Sequence, residues 1–365
     1  VQPNIFFLAD DSGSMDWNLM TTESDGIMYL GGCAYFYTHP TPGISGSAIA
    51  PAVNVYTWIV ATEEQLIANG VAAPYGGVWR AWNKNYNGMY YDPAVKYTPW
   101  EGVNVSGTAY SDAPAAAAPY NPFRPADGTI NLTTTTSYTT DYCPSGGPSF
   151  TVSNFYPARH YTWTDSNSNG VVDAADSHTL VEIKSTTTSY PKAATRTDCA
   201  GSTCTYAEEI KNFANWFSYY RKRDLTAKNA ISKTVAPITS RVGYATLWNN
   251  STVNNIQISL MNQSTLSGNK KTLLDGLFST RPSGSTPLRT ELDKAGKYYE
   301  CVSGNTFGLA AGTSCPILPA AQGGACQKNF TVLMTDGFYN DGFTFAAAPN
   351  NKDGDGNTLF DGGAY

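Results

Sequence analysis

Asn4-Ile5-Phe6-Phe7-Leu8-Ala9-Asp10-Asp11-Ser12-Gly13-Ser14-Met15 is the stretch on which the reading of this chain turns. A short apolar run, Ile5 to Ala9, stops abruptly at carboxylates, hydroxyls and a glycine. Such a run reads as a buried strand of a parallel sheet. In open α/β sheets the loops at the carboxyl ends of strands are where ligands bind. Asp10, Ser12 and Ser14 form a D-x-S-x-S pattern in that loop, and Gly13 is expected to let it turn tightly. Alternating hydroxyls with a carboxylate present hard oxygens, which suit a small hard cation, Mg²⁺ or Mn²⁺.

Two distant stretches add to it. Ser285-Thr286-Pro287-Leu288 opens a predicted helix, with Pro287 at its first position and Leu288, Leu292, Ala295 and Tyr299 at helical spacing. Phe330-Thr331-Val332-Leu333-Met334-Thr335-Asp336-Gly337 reads as a second buried strand ending in a carboxylate. D-x-S-x-S, a later T-P-L and a later strand ending in T-D-G, in that order, resemble the metal-ion-dependent adhesion site of von Willebrand factor A domains. The resemblance implies an α/β fold, a doubly wound, mostly parallel sheet with helices on both faces. It implies direct ligation by Ser12 and Ser14, ligation by Thr286 directly or through water, and water-mediated roles for Asp10 and Asp336. An open position on the cation would then take an acidic group from a partner.

The composition is that of a secreted, loop-rich, partly β protein. Charged residues are 14% and aromatics 13%, with 24 Tyr and 8 Trp. A net charge of -6 argues against nucleic-acid binding by bulk electrostatics. The one basic cluster, Arg221-Lys222-Arg223, is expected on a solvated helix face. No apolar run approaches the length of a transmembrane segment. The seven cysteines lack zinc-type spacing, so disulfides in an oxidising compartment are expected, with at least one thiol left over. Cys199 and Cys204 are near enough to close a small loop, and one bridge is expected among Cys301, Cys315 and Cys326. With no initiator Met and a strand beginning almost at once, the chain reads as a mature or trimmed product.

In an A domain a helix follows the D-x-S-x-S loop. Here residues 17–204, rich in Tyr, Trp, Gly, Pro and Thr, come between. They are read as an inserted β- and loop-rich subdomain flanking the metal-site face, interrupting a core made of 1–16 and 205–365. One short helix is expected within 55–70. Thr134–Tyr138 and Thr186–Tyr190 both spell Thr-Thr-Thr-Ser-Tyr and are expected in strands, either paired, at equivalent positions, or alike by chance. Within the insertion, Asp165, Asn167, Asn169, Gly170, Val171, Asp173 and Asp176 occupy positions 1, 3, 5, 6, 7, 9 and 12 of a calcium loop. Asp at position 12 is shorter than the usual Glu, and no flanking helices are evident, so the loop is expected without the EF-hand fold.

From Tyr206 the spacing of Ile210, Phe213, Ala214, Phe217, Tyr220, Leu225 and Ile231 predicts one long amphipathic helix. A strand over Arg241–Leu247 and a short helix over Lys271–Phe278 follow. The segment from Ala207 to Arg223, AEEIKNFANWFSYYRKR, resembles type IV pilus tip proteins of the PilC/PilY family. So do Tyr90-Tyr91-Asp92-Pro93, Tyr97-Thr98-Pro99-Trp100 and Arg159-His160-Tyr161-Thr162-Trp163. This implies a cell-surface, pilus-tip or outer-membrane adhesin of a Gram-negative bacterium, partnered by minor pilins and a receptor with an acidic group. Too few residues follow Asp336 for the last strands of an A domain, so the sequence reads as a fragment lacking a C-terminal β-propeller-like domain. That tail contains Asp353, Asp355, Asn357 and Asp361, a weaker calcium pattern without Gly at position 6.

Enzymatic readings fare worse. Asp11-Ser12-Gly13-Ser14 resembles an aspartic-protease loop, but the later Asp336-Gly337 and Asp361-Gly362 lack the hydroxyl a second such loop needs. No G-x-S-x-G elbow is present. A binding module is the expectation. The alternative is an assembly module whose metal site only stabilises, with an aromatic-rich insertion surface that binds protein or glycan.

Overall fold

Asn4–Ala9 is β1, the strand around which the computed structural model of this chain is built. The structure describes residues 1–23, 26–30, 33–39, 57–58, 77–141, 149–249, 254–301, 307, 309, 315–337 and 339–342. Among the elements that follow β1 are β2 (Arg159–Thr164), β3 (Ser177–Glu182), β4 (Ser189–Pro191) and β5 (Thr203–Thr205). Next come α1 (Tyr206–Tyr219), α2 (Arg223–Val235), β6 (Arg241–Thr246) and β7 (Ile256–Leu260). The last are α3 (Gly268–Ser279), α4 (Leu288–Tyr299) and β8 (Asn329–Met334).

The main sheet has the order β7-β6-β1-β8, with β6 and β8 both parallel to β1 and β7 antiparallel at the edge. Ala9 lies opposite both Thr246 and Met334, so the three parallel strands end level with one another. Side chains of β1 alternate between two cores, as a pleated strand requires. Phe6 and Leu8 join Ala295 and Tyr298 of α4, with Ala245, Leu247, Ile258 and Phe307. Phe7 and Ala9 join Leu225 and Ile231 of α2, Leu274 and Phe278 of α3, and the aromatics of the insertion. The result is a mixed α/β core with helices on both faces of a sheet that contains parallel strands.

The described part of residues 17–204, read above as an insertion, contains short strand pairs and a three-stranded sheet of Met28–Leu30, Cys33–Tyr37 and Thr57–Trp58. β2 and β3 form a hairpin, β4 pairs with β5, and Thr136–Asp141 pairs with Ser149–Phe155. The two Thr-Thr-Thr-Ser-Tyr stretches therefore enter different pairs and do not meet. Of the helix expected within 55–70, Thr57–Trp58 is a strand instead, and the remaining positions lie outside the described residues.

The insertion packs on α1. Asn212 and Asn215 of α1 hydrogen-bond the main chain at Tyr97, Val95 and Ala113, while Trp216 and Trp100 donate indole protons to Met89 O and Tyr219 O. Tyr91 donates to Glu209, which also pairs with Arg196 at 2.8 Å. Residues 209–219 are therefore buried apart from Lys211, wider than the stripe of a surface helix. A Thr205–Glu208 capping box starts α1, just after the Cys199–Cys204 disulfide that the spacing suggested.

Four expectations are corrected. The strand read as buried, β8, lies at the edge of the sheet and is exposed or half-buried along its length, Phe330 and Val332 among the exposed residues. The long helix is two helices, because the chain leaves helical geometry at Tyr220 and Lys222. The cause lies in the basic run, which is not solvated: Arg221, Lys222 and Arg223 are 1%, 7% and 6% exposed. Lys222 turns to Asp16 at 2.6 Å and Arg223 to Asp336 at 2.7 Å, and a continuous helix would not aim adjacent side chains at both. On α4 the buried residues are Glu291, Ala295 and Tyr298, and Leu292 is exposed, so the face turned inward is not the one read from the leucines. The cysteine trio behaves as expected, with Cys301 bonded to Cys315 and Cys326 free and exposed.

Candidate metal centre

Because β1 and β8 end in register, the loops beyond them start side by side. Asp10 N–H donates to Met334 O at 2.8 Å, which ties the two loops at their base. The Asp10 carboxylate organises both loops. Its Oδ1 accepts from Ser12 N–H at 2.8 Å and its Oδ2 from the Thr335 hydroxyl at 2.7 Å. Ser12 Oγ lies 3.1 Å from Ser14 Oγ, and Ser14 donates to Asp336 Oδ1 at 3.0 Å. Three of the five residues read from the sequence, Ser12, Ser14 and Asp336, thus form one connected chain of oxygens, and Asp10 is tied to it through the Ser12 backbone N–H.

Thr286 joins them through its loop. Gly13 N–H donates to Gly284 O at 3.1 Å, and Ser283 N–H donates to Asp11 O at 2.7 Å. Gly13 itself begins a 3-10 turn, Gly13–Asp16, without a left-handed φ, and a Cβ there would meet only Gly284 O at 3.5 Å, so neither backbone conformation nor close approach demands glycine here, contrary to expectation. Gly284 has φ +69°, and a Cβ there would overlap the Trp248 ring. Thr286 is buried and held from both sides by Asn340, whose Oδ1 accepts from Thr286 N–H at 2.6 Å and whose N–H donates to Thr286 O at 3.1 Å. Asp341 then accepts from Thr290 N–H and its hydroxyl, and pairs with Arg289, clamping the start of α4 to the same loop.

Asp11 and Asp16, adjacent in sequence to the site, face away from it. Asp11 accepts from Trp248 N–H, Asn249 N–H and the Asn249 amide, bracing the loop against the end of β6. Burial pushes its carboxyl up to about 6, against the pull of those hydrogen bonds. Asp16 takes Lys222 and the Tyr37 hydroxyl, and burial raises it as well.

Sequence reasoning missed Arg223. Its Nη1 donates to Asp336 Oδ2 at 2.7 Å, Nε and Nη2 to Leu19 O, and the guanidinium lies 5.1 Å over the Trp17 ring. It missed Asn340, Asp341 and Thr335 too. Only Thr335, inside the T-D-G signature, carried a local signal.

The donor set fits a small hard dication in composition and spacing. Neighbouring ligands on an octahedron with Mg²⁺–oxygen bonds of 2.0–2.1 Å are about 2.9 Å apart, close to the 3.1 Å between Ser12 Oγ and Ser14 Oγ. Both Asp10 oxygens are already engaged, which suits a role behind the first ring of ligands. Among the described residues no three His, Cys, Asp or Glu side chains gather as metal ligands, so such a site relies on hydroxyls.

The second motif forms the tip of the β2–β3 hairpin, not a helix–loop–helix. Asp165 accepts from Asn169 N–H and Gly170 N–H, and Gly170 has φ +75°. Asn167 and Asn169 both donate to Asp173 Oδ2, which together hold its carboxyl below the usual range. Asp176 is buried and accepts from Ser166 N–H and Asp173 N–H, closing the loop. Val171 is exposed beside them. Asp353, Asp355, Asn357 and Asp361 lie outside the described residues.

The chain is similar to curated type IV pilus biogenesis factors PilY1 of Pseudomonas aeruginosa. It is 24% identical to that of strain UCBPP-PA14 over 379 residues, covering 100% of this chain and 25% of the relative. It is 26% identical to that of strain PAK over 302 residues, covering 78% of this chain and 23% of the relative. The chain thus spans about a quarter of the length of the relatives it matches. No family model and no solved structure matches it. No helix among the described residues is long and apolar enough to cross a membrane.

Proposed function

We propose that this chain is a von Willebrand factor A-type adhesion module of a PilC/PilY-like, pilus-associated surface protein, a binder and not an enzyme. Its site is the loop cluster at the ends of β1 and β8. Ser12 and Ser14 would hold Mg²⁺ or Mn²⁺ directly, Thr286 directly or through water, and Asp10 and Asp336 through water. When bound, the cation supplies an open Lewis-acidic position for a carboxylate of a partner. Minor pilins and an acidic receptor are the partners this reading names, and a pilus tip or outer membrane is the location. The Asp165–Asp176 loop would take Ca²⁺ and stiffen the hairpin that carries it.

The observation that carries the reading is the run Ser12 Oγ, Ser14 Oγ, Asp336 Oδ1, at 3.1 and 3.0 Å, where two parallel strands end level. The similarity to pilus biogenesis factors supports the setting. Against the alternative of an aromatic binding surface on the insertion, Trp79, Trp82, Tyr90, Tyr91 and Trp100 are all buried. The test is titration calorimetry with MnCl₂ on the wild type and on Ser14→Ala, alongside pilus-free bead adhesion with and without chelator. Binding lost in the variant and adhesion lost in chelator are the expected results. Equal Mn²⁺ affinity in both proteins would refute the assignment.

A further inference from the structure

We infer that Arg223 is a specificity-setting residue of this site, a built-in cation that shapes the site before metal arrives and keeps it electropositive afterwards. The inference rests on the metal-site reading above and goes beyond it.

The guanidinium is fixed on every side. Nη1 holds Asp336 Oδ2 at 2.7 Å, Nε and Nη2 hold Leu19 O at 3.1 and 2.7 Å, and Nη2 reaches Gly26 O at 3.4 Å. Trp17 lies against it, and Trp17 O accepts from the Arg223 backbone N–H at 3.1 Å. Both side chains of the Arg223–Asp336 pair are 5% exposed, so solvent screens the pair little. The planar fork of arginine suits this task, since one group must serve a carboxylate and two carbonyls at once.

This has two consequences. First, both oxygens of Asp336 have protein partners, Oδ1 on Ser14 and Oδ2 on Arg223, so its placement does not call for a dication. The loops are therefore ordered before metal binds. Second, Arg223 cancels the charge of Asp336. Asp336 then adds no net charge at the site, so a bound dication keeps more of its positive charge than it would beside an unpaired Asp336. That excess favours an anionic partner group and opposes the dication itself. The site gives up metal affinity for appetite toward carboxylates.

The test separates this inference from the reading beneath it. Mn²⁺ affinity is measured by calorimetry for the wild type, Arg223→Gln and Arg223→Lys. Removing the charge should tighten Mn²⁺ binding by about tenfold or more, and Arg223→Lys should stay near wild type. Unchanged or weaker binding in a folded Arg223→Gln overturns the inference, whereas absence of Mn²⁺ binding in the wild type overturns the metal site itself. Hydrogen exchange on the wild type gives a second readout that needs no variant. Amides of residues 10–16 and 335–337 should be equally protected in chelator and in Mn²⁺. Protection that appears only with Mn²⁺ would refute the preformed site.

Discussion

Acidification should destabilise this protein through one buried histidine at the seam between insertion and core. His39 is 0% exposed, with Nε2 directed to Pro157 O at 3.0 Å and Nδ1 to the Thr38 hydroxyl at 3.1 Å. The rings of Tyr90, Phe155, Trp216 and Phe217 surround it. Burial holds the imidazole down at about 3, from an ordinary 6.5, and the charges of Arg221 and Arg159 add to the effect. Between those values the unfolded chain binds a proton that the folded chain refuses, so stability falls as pH falls through the window. From pH 7 to pH 4.5 the loss attributable to His39 is about 2.5 kcal/mol. His160, held at about 4 by burial, acts in the same direction, and Asp11, raised to about 6, acts in the opposite one. A difference measurement removes both. Urea unfolding of the wild type and His39→Gln, followed by tryptophan fluorescence at the two pH values, gives the slope of each. The amide can still donate to Pro157 O but does not titrate. The wild type should lose about 2.5 kcal/mol more than the variant over this interval, whatever the fixed cost of the substitution. Parallel pH dependence in the two proteins would refute the reasoning.

The same structure sets other outcomes. Asn340→Ala removes the side-chain acceptor of Thr286 N–H, and should cost about 1–3 kcal/mol in urea unfolding and weaken Mn²⁺ binding, while Asn340→Asp keeps most of both. Ca²⁺ at a hundred times its dissociation constant should stabilise the fold by about 2.7 kcal/mol, read as a rise in Tm that Asp165→Ala abolishes. Phe6→Ala empties the junction of Tyr298 and Phe307 against β1 and should cost about 3–5 kcal/mol, measured by urea unfolding.

Features encoded locally were legible in the sequence. The apolar run Ile5–Ala9, the T-D-G end of β8 and the close Cys199–Cys204 spacing each carry their own chemistry. The calcium-type loop was legible as a loop for the same reason, and the absence of flanking helices pointed away from an EF-hand. Arg223 was not legible, because its meaning lies in Asp336 and Leu19, which are distant along the chain. A basic tripeptide is a surface feature in most settings, and only tertiary partners can bring it inside. The same holds for α1. An amphipathic stripe assumes one wet face, and here the insertion supplies a second buried one. On α4, Glu291 lies inward and Leu292 outward, which hydrophobic spacing cannot anticipate. Asn340 pairs with the main chain of Thr286 through its own side-chain oxygen and backbone N–H, and no local pattern in the sequence announces such a role.

The central claim is that hydroxyls of the loop after β1 seat a divalent cation at the junction with the loop after β8. Crystals grown in MnCl₂ and measured at a wavelength where manganese scatters anomalously test it most directly. The account predicts a peak at bonding distance from Ser12 Oγ and Ser14 Oγ, with Asp10 and Asp336 set back behind water and Arg223 still on Asp336. No peak there at saturating Mn²⁺, or a peak ligated by other residues, would contradict it.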